Sequence, residues 1–228
     1  MADPPPSESI EDTRGRLLRA ALAVFARRDF DAVSVRAIVD LAGANVSAVS
    51  YHFGGKQGLY LATAAYLAER LQMTLQPLID DIGKRLPTCR RDDARQMLRK
   101  LIHGLLNNLM REDLADDAAG FVLREQLQPT AAFDVLFDRL MLPMQQTFQH
   151  LLVRLLPADE QPNQRQQILM THALMGQILA FRTARTTVLR RLGQAQLSAR
   201  HVDEIAEQIF QLTMNAIKAR TTGDANDE

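Results

Sequence analysis

Apolar side chains recur along this chain every three or four residues, the spacing that places them on one face of an α-helix. Leu18, Leu22 and Phe25 show this spacing in the first periodic segment, which predicts a helix over about 10–28. Gly and Pro fall mostly between the periodic segments, where they end helices. The pattern predicts further helices over about 35–41, 46–52, 56–77, 91–110, 114–127, 130–156 with a kink at Pro143, 163–191 and 199–219.

The composition supports an all-α fold class, because Leu, Ala, Gln, Arg and Met are frequent and favour helices. The formal net charge is zero, but basic residues outnumber acidic ones by seven to three between Thr13 and Tyr60. A locally basic N-terminal segment suits DNA, since Lys and Arg displace counterions from phosphates. Arg14, Arg16 and Arg19 are either phosphate contacts or a solvated helix face.

Several classes of protein are disfavoured by what the sequence lacks. Cys89 is the single cysteine, which excludes an intrachain disulfide and indicates a reducing compartment. The N-terminal residues have no apolar segment typical of a secretion signal, and no apolar run reaches about 18 residues. No HExxH, CxxC, GxSxG or P-loop motif is present. We therefore expect a soluble cytoplasmic protein that has no membrane partner, metal site or cofactor and is not an enzyme.

The spacing near the N-terminus predicts a helix-turn-helix. Ser34 is a favourable N-cap, Gly43 can adopt the left-handed conformation that ends a helix, and the next helix spans about 46–52. The second helix of such a unit enters the major groove of DNA. Val46, Val49 and Phe53 are predicted to face inward. The outward set is Ser47, Ala48, Ser50, Tyr51 and His52, with Lys56 as a phosphate contact at the next helix start.

The run from Ser34 to Tyr60 resembles the TetR family of regulators in order and spacing. The resemblance implies a three-helix DNA-binding head followed by a helical-bundle body for ligand binding and dimerisation. It also implies that Arg36 contacts bases or phosphate. The chain departs from the family pattern at Val39, usually Ala, and at Ser50, usually Tyr. The candidate DNA-contacting residues are Ser34, Arg36, Asn45, Ser47, Ala48, Ser50, Tyr51, His52 and Lys56.

Two later segments, 124–132 and 171–182, resemble the CecR-like subgroup of that family. The subgroup implies a regulator of a neighbouring operon, for example one concerned with efflux or drug sensitivity. Polar residues on otherwise apolar helices in this region either form a satisfied buried network or line an effector pocket. The candidate effector-binding residues are Phe121, Arg124, Glu125, Phe148, His172, Met175, Gln177 and Phe181.

The predicted organisation is a disordered arm (1–9), a DNA-binding domain (10–57), an effector-binding and dimerisation domain (58–219) and a disordered acidic tail (220–228). The expected partners are double-stranded operator DNA, an unidentified small-molecule effector that releases a repressor, and a second copy of the chain. The homodimer is predicted to form through the helices near 163–191 and 199–219. The apolar residues predicted for it are Ile168, Leu169, Ala173, Leu174, Ile205, Ile209, Leu212 and Ala216.

Two alternatives come from other functional classes. The cluster Glu125, His172 and Arg182 is the support for a helical enzyme, without an accompanying nucleophile or metal motif. A helical adaptor that binds proteins and keeps a vestigial head is the other. Binding of DNA from upstream of the gene would separate these three hypotheses.

Overall fold

The computed structural model describes residues 10–110 and 112–223, with side-chain surroundings for 13–110 and 116–220. Regular structure in these ranges is helical, which confirms the predicted all-α class. A π-helical turn, Phe137–Met141, separates the seventh and eighth α-helices. The α-helices are α1 (Ile10–Phe25), α2 (Val35–Ala42), α3 (Val46–Phe53), α4 (Lys56–Arg85), α5 (Arg91–Met110), α6 (Glu112–Leu127), α7 (Ala131–Leu136), α8 (Leu142–Leu155), α9 (Gln164–Thr183), α10 (Arg185–Leu192) and α11 (Ala199–Gly223).

The fourth helix does not end near Pro77, so that prediction is wrong. Pro77 is exposed, and α4 continues for two more turns to Arg85. A proline inside a helix removes one backbone hydrogen bond and costs roughly 3 kcal/mol. Beyond it, Ile82 is fully buried in an apolar core and Leu78 packs against that core. Burial of these side chains offsets the cost of the proline.

Two long predicted helices are interrupted. Pro143 lies in the first turn of α8, directly after the π-helical turn. A proline is tolerated there because the first N–H groups of a helix have no partner within it. The predicted helix 163–191 is divided at Ala184, whose φ of −104° and ψ of 24° are not helical. Nothing in the local sequence explains this second break.

The chain ends are only partly described. Helix α11 continues to Gly223, four residues into the predicted tail. The predicted arm 1–9, including the predicted cap at Ser9, and residues 224–228 lie outside the described residues.

The head unit, the described residues up to 70 together with 116–140, is one of two compact units. Helix α1 packs against α2 and α3, and Leu18, Leu22 and Phe25 are buried as their spacing predicts. Gly120 of α6 lies so close to the chain after α1 that a Cβ there would be 2.8 Å from the carbonyl oxygen of Ala26. The absence of a side chain at Gly120 thus permits this close packing within the unit.

The body unit comprises the described residues of 71–115 and of 141 onward. Helix α5 packs against α8 and α11, and α9 packs against α8, α10 and α11. The Arg99 guanidinium lies 2.7 Å from the Glu207 carboxylate, which joins α5 to α11. Fully buried apolar side chains at the centre include Leu98, Leu101, Ile102, Leu106, Phe148, Leu151, Ile178 and Ala206.

Candidate DNA-binding site

Two short helices and a glycine turn build the site. The Ser34 hydroxyl accepts a hydrogen bond from the Ala37 N–H at 3.2 Å and caps α2. Gly43 ends α2 with φ 62° and ψ 41°, a conformation that a side chain makes unfavourable. The Asn45 carboxamide oxygen then accepts from the Ala48 N–H at 2.8 Å and caps α3. The side-chain caps fix where both helices begin, and with the turn at Gly43 they give the arrangement of a helix-turn-helix.

The outer face of α3 is formed by side chains one helical turn apart. Ser47, Ser50 and Tyr51 are exposed, whereas Val49 is buried against the rest of the head unit. Val46 is 52% exposed, so the prediction that it faces inward is wrong. Val46 and Val49 are one turn apart on the same side of the helix, so the exposure of Val46 comes from its place in the first turn, which the rest of the head unit covers less.

The aromatic end of α3 is also accessible. The Tyr51 side chain is 76% exposed, and its ring meets the His52 ring edge-on, with centroids 4.9 Å apart. His52 and Ala48 are half-buried at the side of the exposed face. Tyr51 therefore projects furthest into solvent of the predicted aromatic contacts.

Two predicted cationic contacts occupy different settings. Arg36 is exposed on α2. The Lys56 ammonium lies 4.4 Å from the centroid of the Phe30 ring and donates to the Asp31 carbonyl oxygen at 3.4 Å. Lys56 also begins α4, where unpaired backbone N–H groups favour an anion. The end of α3 is thus followed by a positively charged helix start suited to phosphate.

Comparisons with known proteins match both parts of the chain. The sequence profile of the TetR family of bacterial regulatory proteins matches residues 17–63. The profile of the C-terminal domain of the HTH-type transcriptional dual regulator CecR matches residues 94–217. The CecR regulator of Shigella flexneri is 33% identical over 186 residues, which cover 80% of this chain and 81% of that protein. The chain belongs to the TetR family. It is a DNA-binding transcriptional regulator, as the sequence predicts.

Solved TetR-like structures share the fold. A TetR-family regulator from Mesorhizobium loti has a TM-score of 0.59 at 15% identity, and the match covers 92% of this chain and 98% of that one. A transcriptional regulator from Pseudomonas aeruginosa has a TM-score of 0.61 at 20% identity, with 93% and 95% covered. At these identities the comparison shows a common TetR fold and no more.

The residues predicted to bind the effector of this TetR-family protein belong to two units. Phe121, Arg124 and Glu125 are in the head unit, and the other five are in the body unit. Phe121 and Phe148 are fully buried. Met175 and Phe181 pack at the edge of the body core, while His172 and Gln177 are exposed on α9. Their role in binding an effector stays a prediction.

Two shallow grooves open on the described surface of the body unit. The larger, about 390 Å³, lies between the end of α4 and α8, and the other, about 370 Å³, lies between α5 and α11. Neither is lined by a predicted effector residue. The first is lined by Ile79, Asp80, Ile82, Gly83, Lys84, Leu86, Thr147 and His150, and the second by Asp92, Arg95, Gln96, Arg99, Phe210 and Gln211.

Of the two alternatives for Glu125, the structure has the buried polar network in the head unit, with Tyr60 and Thr130 as partners that the sequence did not indicate. Glu125 is fully buried and accepts hydrogen bonds from the Tyr60 hydroxyl and from the Thr130 N–H, the latter at 3.0 Å. The Thr130 hydroxyl donates to the same carboxylate. The spacing of Phe121 and Glu125, four residues apart, is a sequence signal that both lie on one buried face of α6. Only the fold brings Tyr60 to Glu125.

Burial of Tyr60 and its hydrogen bond to the Glu125 carboxylate both raise the pKa of the phenol above its ordinary value. Its ring also meets the rings of Phe25 and Phe121, with centroids 4.7 and 5.0 Å away. Arg124, the neighbour of Glu125, forms an ion pair with Asp29. These contacts join α6 to α1 and α4 within the head unit.

The three residues of the enzyme alternative are divided between the two units. Glu125 belongs to the head unit and is hydrogen-bonded there, whereas His172 and Arg182 lie on α9 of the body unit. In the described part of the chain, no three His, Cys, Asp or Glu residues are grouped to hold a metal ion. No helix among the described residues is long and apolar enough to span a membrane.

Proposed function

We propose that this TetR-family protein is a homodimeric repressor that acts in the cytoplasm and leaves its operator when a small molecule binds the body. The observation that carries the proposal is the capped turn at Gly43, which presents Ser47, Ser50 and Tyr51 of α3 to solvent. An exposed helix of this kind fits the major groove, with its N-terminal residues nearest the base edges.

Phosphate contacts would hold the helix in register. Arg36 is exposed on α2, and Lys56 stands at the start of α4, so the cationic groups lie on the helices before and after α3. Phosphate contacts account for most of the salt-dependent part of DNA affinity, which weakens as the salt concentration rises. They do not distinguish one base from another. Specificity then depends on the side chains of α3.

A second copy of the chain would pair through α9 and α11. Leu169 of α9 and Leu212 of α11 are 58% and 59% exposed, and Ala173 and Ala216 are exposed on the same helices. Exposed apolar faces on adjacent packed helices are typical of a surface that another protein covers. Two copies would place two heads about one turn of DNA apart, roughly 34–36 Å. Of the predicted set, Leu174, Ile205 and Ile209 are instead buried within the body.

The proposals on effector release and on the regulated genes are drawn from similar proteins. The Shigella flexneri relative is named a dual regulator, so we propose that activation accompanies repression at some promoters. A solved regulator of the same fold from Saccharomonospora viridis is in complex with choline, which supports a small-molecule effector. A ligand that binds the DNA-incompatible conformation better would shift the population away from operator binding. Control of efflux or drug-sensitivity genes rests on the subgroup resemblance.

Fluorescence anisotropy with the DNA upstream of the gene tests operator binding. Tyr51→Ala removes an exposed side chain of α3, and we expect a loss of affinity of about 5-fold, the lower end of the range for a specific base contact. Arg36→Ala should weaken binding to all duplexes and reduce the salt dependence.

Arg91→Ala is the matched control, because it removes an equal charge from an exposed position at the start of α5. Binding equal to the unsubstituted protein is expected for this control. Unchanged affinity of both Tyr51→Ala and Arg36→Ala would contradict the assignment of α2 and α3 to DNA.

A further inference from the structure

The outer face of α3 carries no charged side chain. Its exposed members are Val46, Ser47, Ser50 and Tyr51, which form two pairs one helical turn apart. Arg and Lys are the usual contacts to guanine in the major groove, through its O6 and N7 atoms. The exposed face of α3 therefore lacks the side chains that most often select guanine.

The polar groups at the N-terminal end of α3 are engaged in the cap. The Asn45 carboxamide oxygen accepts from the Ala48 N–H at 2.8 Å and from the Ser47 hydroxyl at 2.6 Å. An Asn contact to adenine uses both the oxygen and the nitrogen of the carboxamide. Asn45 cannot make that two-bond contact while it caps the helix.

Val46 is the exposed apolar side chain at this end. It is the first residue of α3, and 52% of its surface is accessible although it is a β-branched apolar residue. Val49, one turn later on the same side of α3, is buried, so Val46 is the accessible apolar side chain of the first turn. The apolar group that a major groove offers to such a side chain is the thymine methyl.

We propose that Val46 determines part of the operator sequence by packing against a thymine methyl in each half-site. This inference rests on the proposed function, because it assumes that α3 enters the major groove. An apolar contact of Val46 would select the base at one position of each half-site, whereas Arg36 and Lys56 would contact phosphate.

The test uses duplexes selected by the unsubstituted protein from a pool of random sequence. Each thymine of a selected duplex is replaced in turn by deoxyuridine, symmetrically in both half-sites, which removes the methyl and keeps base pairing. At one position we expect the affinity to fall about fourfold per methyl lost, the equivalent of burying one methylene group. For Val46→Ala we expect weaker binding to the thymine duplex and no further loss with deoxyuridine at that position.

Two controls keep the result specific. Leu127→Ala truncates an exposed leucine of α6, outside the helix-turn-helix, and should keep the full deoxyuridine effect. Circular dichroism should give the same melting temperature for Val46→Ala and the unsubstituted protein, because an exposed side chain contributes little to stability.

The outcomes distinguish a wrong assignment of Val46 from a failure of operator binding. Selected duplexes with no methyl effect, or with effects that persist in Val46→Ala, overturn the assignment of Val46 and leave operator binding intact. If no duplex is enriched from the pool, both the proposed function and this inference are overturned.

Discussion

At the scale of single residues, Glu125 shows how the head tolerates a buried carboxylate. Burial of a charged group without partners is strongly unfavourable. Here the Tyr60 hydroxyl, the Thr130 hydroxyl and the Thr130 N–H all donate to the two carboxylate oxygens. The donors come from α4 and from the N-cap of α7, so the carboxylate links three elements of the head unit.

Tyr60→Phe should destabilise the protein by about 1–3 kcal/mol, because it leaves a buried carboxylate oxygen without its hydroxyl donor. Urea denaturation followed by circular dichroism measures the change. Tyr66→Phe is the matched control on the same helix, since the Tyr66 hydroxyl accepts an exposed hydrogen bond from Arg70, at 3.3 Å. We expect the control to stay within about 0.5 kcal/mol of the unsubstituted protein. Equal effects of the two variants would show that the network does not contribute.

The same variant has a defined pH dependence. The pKa of Tyr60 is raised in the folded protein, whereas a tyrosine in the unfolded chain titrates near 10. Above about pH 10 the unfolded state loses this proton and the folded state keeps it, so the stability contributed by Tyr60 declines as pH rises. The stability difference between the unsubstituted protein and Tyr60→Phe should therefore shrink above pH 10 and stay constant between pH 7 and 9.

At the scale of elements, the start of α4 depends on a glycine. A Cβ on Gly58 would lie 1.8 Å from the carbonyl oxygen of Phe53, the last residue of α3. Because the clashing atom belongs to the backbone, no change of side-chain conformation can relieve the contact. Gly58 therefore sets how closely α4 follows α3, and with it the position of Lys56.

Gly58→Ala should destabilise the protein by about 3 kcal/mol or more and weaken DNA binding, because α3 and α4 must separate. Gly83→Ala lies on the same helix with nothing within 4 Å of its Cβ, so it should be neutral or stabilise by about 0.5–1 kcal/mol. Thermal denaturation and anisotropy with operator DNA measure both variants. A Gly58→Ala protein as stable as Gly83→Ala would contradict the tight junction.

Local chemistry explains which elements were predictable from the sequence. The caps at Ser34 and Asn45 and the turn at Gly43 depend on neighbouring residues, so α2 and α3 lie where the pattern places them. The exposure of Val46 depends on what covers the first turn of α3, and the continuation of α4 past Pro77 depends on a distant core. Side-chain pairs such as Tyr60 and Glu125 are 65 residues apart and have no local signal.

At the scale of the whole molecule, the domains predicted from the sequence and the compact units of the structure have different boundaries. The predicted boundary follows residue 57, whereas the head unit takes in α4 to Arg70 and also 116–140. Phe121 and Glu125 are buried in the unit that carries α3, an arrangement that no periodicity within α6 indicates. Linear order alone could not assign α6 to the head unit.

The proposed dimer is the property of the whole molecule on which we expect operator binding to depend most. Leu169→Asp combined with Leu212→Asp places two charges on the exposed apolar faces of α9 and α11, and burying unpaired charge in an interface is strongly unfavourable. We expect sedimentation velocity at micromolar concentration to show a dimer for the unsubstituted protein and a monomer for the double variant.

Operator affinity should fall by about 10²- to 10⁴-fold in that variant although α3 is unchanged, because each head then binds its half-site alone. Leu127→Asp, at a residue 73% exposed on α6, should stay dimeric and bind DNA normally. A dimer that survives in the double variant would place the interface elsewhere. A monomer with full operator affinity would show instead that one head is sufficient, and would remove the need for paired half-sites.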